Sequence, residues 1–242
     1  APGTTLMVDL QNEPLLNPDI LNWLTYAKNN APRVRRVLTT NGALLHRFKA
    51  ADVEAADLAL LAVSLNAHTR TTYERINCGL DFDQVVSNIL RLADVPELRP
   101  RLRIDFVETE LNVHELSAAR EFWVSRGIAT YVKPLSNRSG ALKQYDSLIS
   151  RDGPTAGRGN PAIVGWLRHR LGCPHPFHEM SVLYNGDVIL CCHDWQHCVV
   201  VGNLRTSSIR TVWNSDHLNN IRRLTLTGQM RSIAPCRTCS LA

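Results

Sequence analysis

The stretch Val34-Arg-Arg-Val-Leu-Thr-Thr40-Asn41-Gly42, followed by Asp52-Val-Glu-Ala-Ala-Asp57 and Leu58-Ala-Leu-Leu-Ala-Val-Ser64-Leu65, decides the fold. Two apolar runs rich in Val and Leu, Val34–Thr39 and Leu58–Leu65, flank a short helical pattern, and Asn41-Gly42 closes the first run as a turn. A strand, a crossover helix and a second strand of this kind pair in parallel. The same rhythm extends both ways. Upstream, Thr5-Leu-Met-Val-Asp-Leu10 reads as a buried strand, and Asp19–Asn30 as a helix with Ile20, Leu21, Leu24 and Ala27 at helical spacing and Asp19 as its cap. Downstream, Phe82–Leu92 is an amphipathic helix, Leu102–Val107 and Ile128–Val132 are strands, and Val113–Arg126 is the helix between them, ended at Gly127. The alternation predicts an α/β chain with a parallel sheet, open or curled into a full or partial barrel, and a site at the strands' carboxyl ends. Polar residues gather there: Asn12 and Glu13, Thr40 and Asn41, Ser64 and Asn66, Glu108 and Glu110, Lys133 and Asn137. Each also fits the plainer role of a strand-end cap or turn residue.

The 242 residues are enough to bury a real core, and 44% hydrophobic with 20% charged residues is ordinary for a globular chain. No apolar run approaches the roughly 20 residues that span a bilayer. Ala1–Thr5 carries no basic start followed by an apolar core, so nothing points to export, and a cytoplasmic location is expected. The net charge of +5 is local: residues 136–172 hold 6 Lys and Arg against 2 Asp and Glu, whereas residues 1–135 hold 15 against 16. One basic connector without an aromatic platform does not indicate a nucleic-acid partner. That stretch is rich in Ser, Gly, Asn, Arg and Pro, including Gly157-Arg-Gly-Asn-Pro161, and reads as a linker with one short helix at Ala162–Leu171.

Six of the 7 cysteines, Cys173, Cys191, Cys192, Cys198, Cys236 and Cys239, crowd into the last segment, while Cys78 stands apart. An odd number with a Cys-x-x-Cys pair argues for a reduced compartment and thiolates that hold a metal. Ser181–Leu190 is a hairpin pattern with Asn185-Gly186 as its turn, which brings Cys173 near Cys191 and Cys192. Helical patterns follow through Ile209, Val212 and Trp213 and over Leu218–Leu226, and Cys236-Arg-Thr-Cys239 closes the set. Two hairpin thiolates and one terminal chelate suit tetrahedral zinc or a [4Fe-4S] cluster. Neighbouring strand residues point to opposite faces, so one of Cys191 and Cys192 faces the metal; the distance from Gly186 favours Cys191. Cys198 reads as a free thiol or core residue, His178, His193 and His197 as surface or hydrogen-bonding residues, and Trp166, Trp195 and Trp213 as packing.

Cys173, twelve residues to Gly186, four more to Cys191, then Gly202-Asn203-Leu204, Val212-Trp213-Asn214-Ser215, Leu218, Ile221-Arg222 and Cys236-x-x-Cys239 together resemble SPASM, or its shortened twitch form. This is the auxiliary iron-sulfur domain of radical S-adenosylmethionine enzymes. Upstream, Asn12-Glu13-Pro14-Leu15-Leu16-Asn17-Pro18 is similar to that family's Gly-Glu-Pro motif, with Asn12 where Gly is usual, and Thr40-Asn41-Gly42, Val63-Ser64-Leu65 and Tyr73-Glu-Arg-Ile76 follow in the family's order. The resemblance covers nearly the whole chain. It implies a partial (β/α)6 TIM-like barrel lacking its first strand over residues 1–135, a linker over 136–172, and a small α+β auxiliary-cluster domain over 173–242.

The same resemblance implies that Glu13 meets the amino group of S-adenosylmethionine, that Ser64 holds its polar parts, and that Thr40 and Asn41 are further candidates. It implies an auxiliary [4Fe-4S] cluster on Cys173, Cys191, Cys236 and Cys239. The family's Cys-x-x-x-Cys-x-x-Cys motif is absent, so this chain is expected to be a fragment whose complete form carries a second [4Fe-4S] cluster and S-adenosylmethionine. That enzyme would draw electrons from a donor protein and use a 5'-deoxyadenosyl radical on a peptide or small natural-product substrate, in oxidation, cross-linking or a related change. A degenerate relative that binds a peptide or partner and keeps one structural iron-sulfur or zinc site is the alternative.

Overall fold

The computed structural model describes residues 3–155 and 172–240. The chain forms two compact units, Ala1–Pro134 with Leu148–Ala156, and Leu135–Ser147 with Gly157–Ala242. The stretch read as a linker is therefore shared between them. The helix expected at Ala162–Leu171 and Trp166 lie outside the described residues.

In the first unit β1 (Thr5–Met7), β2 (Arg35–Thr40), β3 (Leu60–Ser64), β4 (Leu102–Glu108) and β5 (Ala129–Pro134) form one parallel sheet in chain order. Helices α1 (Ile20–Asn30), α2 (Ala50–Ala55), α3 (Arg70–Ile76), α4 (Phe82–Ala93) and α5 (Leu116–Val124) make the connections, as parallel neighbours require. Alternation along each strand sorts two faces. Leu38, Leu61, Val63, Ile104 and Phe106 join Leu24, Ile89 and Trp123 in the core beneath the helices. The other face carries Thr39, Ala62, Ser64, Arg103, Asp105, Tyr131 and Lys133, in a register that sets Ser64 beside Asp105 and Asp105 beside Tyr131.

Several boundaries differ from the sequence reading, each for a local reason. The first strand ends at Met7 rather than Leu10 and is exposed, Met7 at 55%, because β1 is an edge strand paired only with β2. Asp19 occupies the cap position of α1 without bonding the backbone; its carboxylate accepts instead from Asn22 Nδ2 at 3.3 Å. The helix expected over Val113–Arg126 begins as a 3-10 turn, Val113–Glu115, before α5. Helix α3 escaped the sequence reading; Thr69 caps it, with Thr69 Oγ1 accepting from the Thr72 amide.

The second unit holds an antiparallel sheet of β6 (Ser181–Val182), β7 (Asp187–Ile189) and β8 (Val200–Asn203). Gly186 turns the hairpin at φ +88°, where a Cβ would lie 2.9 Å from Arg205 Cγ. Gly202 allows helix Ile209–Trp213 to pack on β8, since a Cβ there would stand 2.8 Å from both Val212 methyls. The core is small: Val188, Leu190, Cys191, Val201, Val212, Leu218, Ile221 and Ile233.

Glu115 ties α3 to α5 within the first unit. Its carboxylate accepts from the amides of His68 at 2.8 Å and Thr69 at 3.1 Å and from the hydroxyls of Thr69 and Thr72. Burial alone would raise its pKa, but these donors together outweigh burial and hold it below the ordinary 4.5. A depressed carboxylate contributes stability above its unfolded pKa and loses it as pH falls through the folded value. Glu115→Gln should therefore cost about 1–3 kcal/mol at neutral pH, measured by urea unfolding, and the gap to wild type should narrow below pH 4.5; a gap constant with pH would refute the charged role.

Candidate cofactor and cluster sites

At the carboxyl end of the sheet the turn after β1 places Glu13 against the end of β2. Glu13 Oε1 accepts from the Leu15 amide at 3.0 Å and from Thr40 Oγ1 at 2.7 Å, and Oε2 accepts from the Asn41 amide at 2.7 Å. Glu13, Thr40 and Asn41 are thus brought together. Thr40 and Asn41 also spend their side chains on the turn: Thr40 Oγ1 accepts from the Gly42 amide at 3.0 Å and Asn41 Oδ1 from the Ala43 amide at 3.0 Å. A carboxylate offers about four acceptor positions. Three are used here, which leaves Oε2 room for one more donor, such as an ammonium group. Ser64 ends β3 on the inner face, where its Oγ accepts from Asn66 Nδ2 at 3.2 Å.

Apart from Lys133, the sequence reading missed the charges that line this face. Asp105 is 3% exposed and bound through both oxygens by Arg103, Nε to Oδ1 at 2.5 Å and Nη2 to Oδ2 at 2.9 Å, with Lys133 Nζ at 3.8 Å from Oδ2. The Arg103 guanidinium also lies 5.1 Å over the Tyr131 ring. Asp9 accepts from the Thr39 amide at 3.0 Å; burial nevertheless raises its pKa above the ordinary value, with that amide and Lys133 pulling the other way. The signal was present in Leu102-Arg-Ile-Asp-Phe106, where charge falls on every second residue of an apolar strand. Glu108, grouped with the strand-end polar residues, is structural here: it accepts from the amide and hydroxyl of Thr155, both at 2.8 Å.

In the second unit Cys191 is buried and Cys173, Cys236 and Cys239 are half-buried. Burial pushes the Cys191 thiol up to about 12, with Glu179 and then Cys173 adding to the effect. Cys236 rises to about 12 from burial first and then from Cys191, Cys173 and Cys239. Cys191, Cys173 and Cys239 thus all oppose ionisation of Cys236, and thiols are donors suited to a cationic iron-sulfur or zinc centre. The segment after β5 braces the terminal chelate: Asn137 Nδ2 donates to the Thr238 carbonyl at 2.5 Å, Asn137 Oδ1 accepts from the Ser240 amide at 2.9 Å, and Thr238 Oγ1 donates to the Ser139 carbonyl at 2.8 Å.

Cys192 belongs to different surroundings. Its amide donates to Glu179 Oε1 at 3.3 Å, and its ligating atom lies within 4.8 Å of those of His175 and His193. Cys198 is exposed and outside the thiol group, and its amide donates to the buried Asp194 at 2.9 Å. Trp213 packs on the small core and under Arg222 at 4.4 Å, and Trp195 lies under Arg138 at 3.8 Å.

Residues 173–240 match the family model for SPASM, an iron-sulfur cluster-binding domain. This segment is similar to SPASM domains. No curated protein sequence matches the chain. Among solved structures, BtrN in complex with AdoMet and 2-DOIA superimposes with TM-score 0.58 at 15% identity, over 97% of this chain and 72% of that one. Native anSMEcpe with bound AdoMet gives TM-score 0.62 at 13% identity, over 93% and 70%. Native anSMEcpe with AdoMet and the Kp18Cys peptide gives 0.56 at 14%, over 92% and 70%. The fold is thus a partial TIM-like barrel like that of these AdoMet-bound structures, followed by the segment that matches the SPASM model. All four cysteines grouped above lie within the SPASM segment.

The Arg103–Asp105 pair has a measurable consequence. Asp105 is buried but Arg103 is half-buried and Lys133 stands nearby, so removing Arg103 costs about 1–3 kcal/mol, less than stranding a fully buried charge, whereas removing both partners is often near neutral. Arg103→Leu should therefore lower the unfolding free energy by about that amount, and Arg103→Leu combined with Asp105→Leu should recover most of it. Equal destabilisation of the two variants in chemical denaturation would show that packing, not charge pairing, governs the site.

Proposed function

We propose that this chain is the barrel and auxiliary-cluster part of a radical S-adenosylmethionine enzyme that removes a hydrogen atom from a peptide or small natural-product substrate. The observation that carries the reading is the grouping of Cys173, Cys191, Cys236 and Cys239 inside a SPASM segment, in a chain with this family's fold. S-adenosylmethionine, reduced at a cluster on a Cys-x-x-x-Cys-x-x-Cys segment that this sequence does not contain, supplies the 5'-deoxyadenosyl radical.

The chain's own residues bind and orient. The remaining acceptor of Glu13 takes the cofactor's ammonium group, with its carboxylate held in place by Thr40, Asn41 and Leu15. Ser64 meets the cofactor's polar parts from β3. Arg103, Asp105 and Lys133 make the inner face polar, so that a substrate bearing amide, hydroxyl or amino groups finds partners there. Cys173, Cys191, Cys236 and Cys239 hold the auxiliary [4Fe-4S] cluster. With every iron ligated by protein, such a centre is suited to relaying an electron, as an oxidation or cross-link requires. A donor protein supplies electrons from outside, and a cluster of thiolates suits a reducing, cytoplasmic setting. No helix among the described residues is long and apolar enough to cross a membrane. Two substrate classes are supported by the neighbours in fold, one solved with 2-DOIA and one with a peptide.

Anaerobic reconstitution tests the reading. The wild-type chain should bind about four irons with the Mössbauer signature of a [4Fe-4S] centre, and Cys236→Ala should lose it and make residues 173–240 protease-sensitive, while Cys198→Ala does neither. Equal behaviour of the two variants would overturn the ligand assignment. The 242-residue chain by itself should release no 5'-deoxyadenosine on reduction; release of that product would show that the missing cysteine motif is dispensable.

A further inference from the structure

We propose that His175, Cys192 and His193 form a mononuclear zinc-class site of their own, separate from the four cluster thiols. The inference rests on Cys191, and not Cys192, being the cluster thiol. One potential ligand atom from each of the three residues lies within 4.8 Å of the other two, and all three residues are half-buried. Zinc bonds of about 2.0–2.1 Å to nitrogen and 2.3 Å to sulfur set tetrahedral ligands roughly 3.3–3.6 Å apart. Closing the set therefore asks for side-chain shifts on the order of 1 Å.

The surroundings are those of a braced site. Glu179 Oε1 lies 2.9 Å from His175 Nδ1, the carboxylate contact that orients a ligating imidazole. The same oxygen accepts from the Cys192 amide, so one carboxylate positions two of the three ligands. Ser136 Oγ stands 3.1 Å from His193 Nδ1 and braces the third. The His175 and His193 rings meet edge to face at 5.3 Å. Charge attraction explains the His175–Glu179 contact by itself, although His175 Nδ1 makes no well-aligned hydrogen bond there. It does not explain why a thiol and a second imidazole converge on that pair. Two imidazoles and one thiolate are borderline-soft donors, which select zinc over magnesium or calcium, and three protein ligands leave a fourth position for water.

The test uses the cluster-loaded 242-residue chain, exposed to zinc chloride and then dialysed against a weak chelator. Iron and zinc are counted by mass spectrometry, and the zinc environment is read by X-ray absorption at the zinc edge, which the iron does not obscure. Expected are about one zinc beside about four irons, with one sulfur near 2.3 Å and nitrogen or oxygen near 2.0 Å. Cys192→Ser and His193→Gln should each weaken zinc retention at least about tenfold, roughly the lower end of a ligand's contribution, without loss of iron; His178→Gln should change neither metal. A zinc shell of four sulfurs, failure to retain zinc with the irons in place, or loss of iron from Cys192→Ser would each overturn the site. A chain that binds no iron yet keeps zinc in a one-sulfur shell would defeat the cluster reading and support this one.

Discussion

The carboxyl end of the sheet depends on a carboxylate that must satisfy three protein donors at once. Glu13 follows an edge strand of only three residues, Thr5–Met7, too short to fix the turn after it by ladder hydrogen bonds alone. Its bonds to Thr40 Oγ1 and the Asn41 amide replace that ladder and lock the first turn onto the end of β2. The lock continues inward: the buried Asn88 of α4 donates to the carbonyls of Gly42 at 3.0 Å and Ala43 at 3.3 Å, so the turn that presents Glu13 is held from beneath as well. A binding group gains precision when its own rotamer is fixed in this way.

The second unit solves a different problem. Its core is a few aliphatic side chains around a short sheet and two helices, and burial on that scale barely offsets chain entropy. Four thiols placed in such a core raise the problem further, because burial and mutual repulsion both oppose their ionisation. A metal centre resolves both at once. Bound as proposed, it would let the thiolates ionise and would cross-link Cys173, the hairpin and the Cys236–Cys239 pair, converting ligand binding into folding energy. The braces from Asn137 and Thr238 position the chelate for that purpose but are too few and too exposed to replace it.

How much of this is legible in the sequence follows from what each signal depends on. Strands β2 to β5 declare themselves by short apolar runs set between helical patterns and turn residues, and the cysteine spacing declares the SPASM-like segment. The end of β1 does not, because Val8 and Leu10 continue the apolar run past the point where pairing stops. Helix α3 is hidden because its seven residues hold only Tyr73 as a buried side chain, so no periodicity emerges. The pair Arg103 and Asp105 looks like solvent-facing alternation, and its inner position becomes visible only through the register with Ala62 and Ser64. His175 and Cys192 stand seventeen residues apart, and no local pattern connects them.

The adjacency of Cys191 and Cys192 unites these points. The pair lies past the end of β7 at Ile189, where the chain enters a turn rather than the strand expected from the sequence, and that turn gives the two thiols different surroundings. Cys191 falls among the aliphatic core and the cluster thiols, where charge is tolerated only as a metal thiolate. Cys192 falls beside Glu179, His175 and His193, where the neighbouring carboxylate disfavours a bare thiolate and the imidazoles offer it company only through a shared cation. A slip of one residue at this point would exchange the two, setting a thiol with no cluster partners into the core and a cluster ligand among histidines.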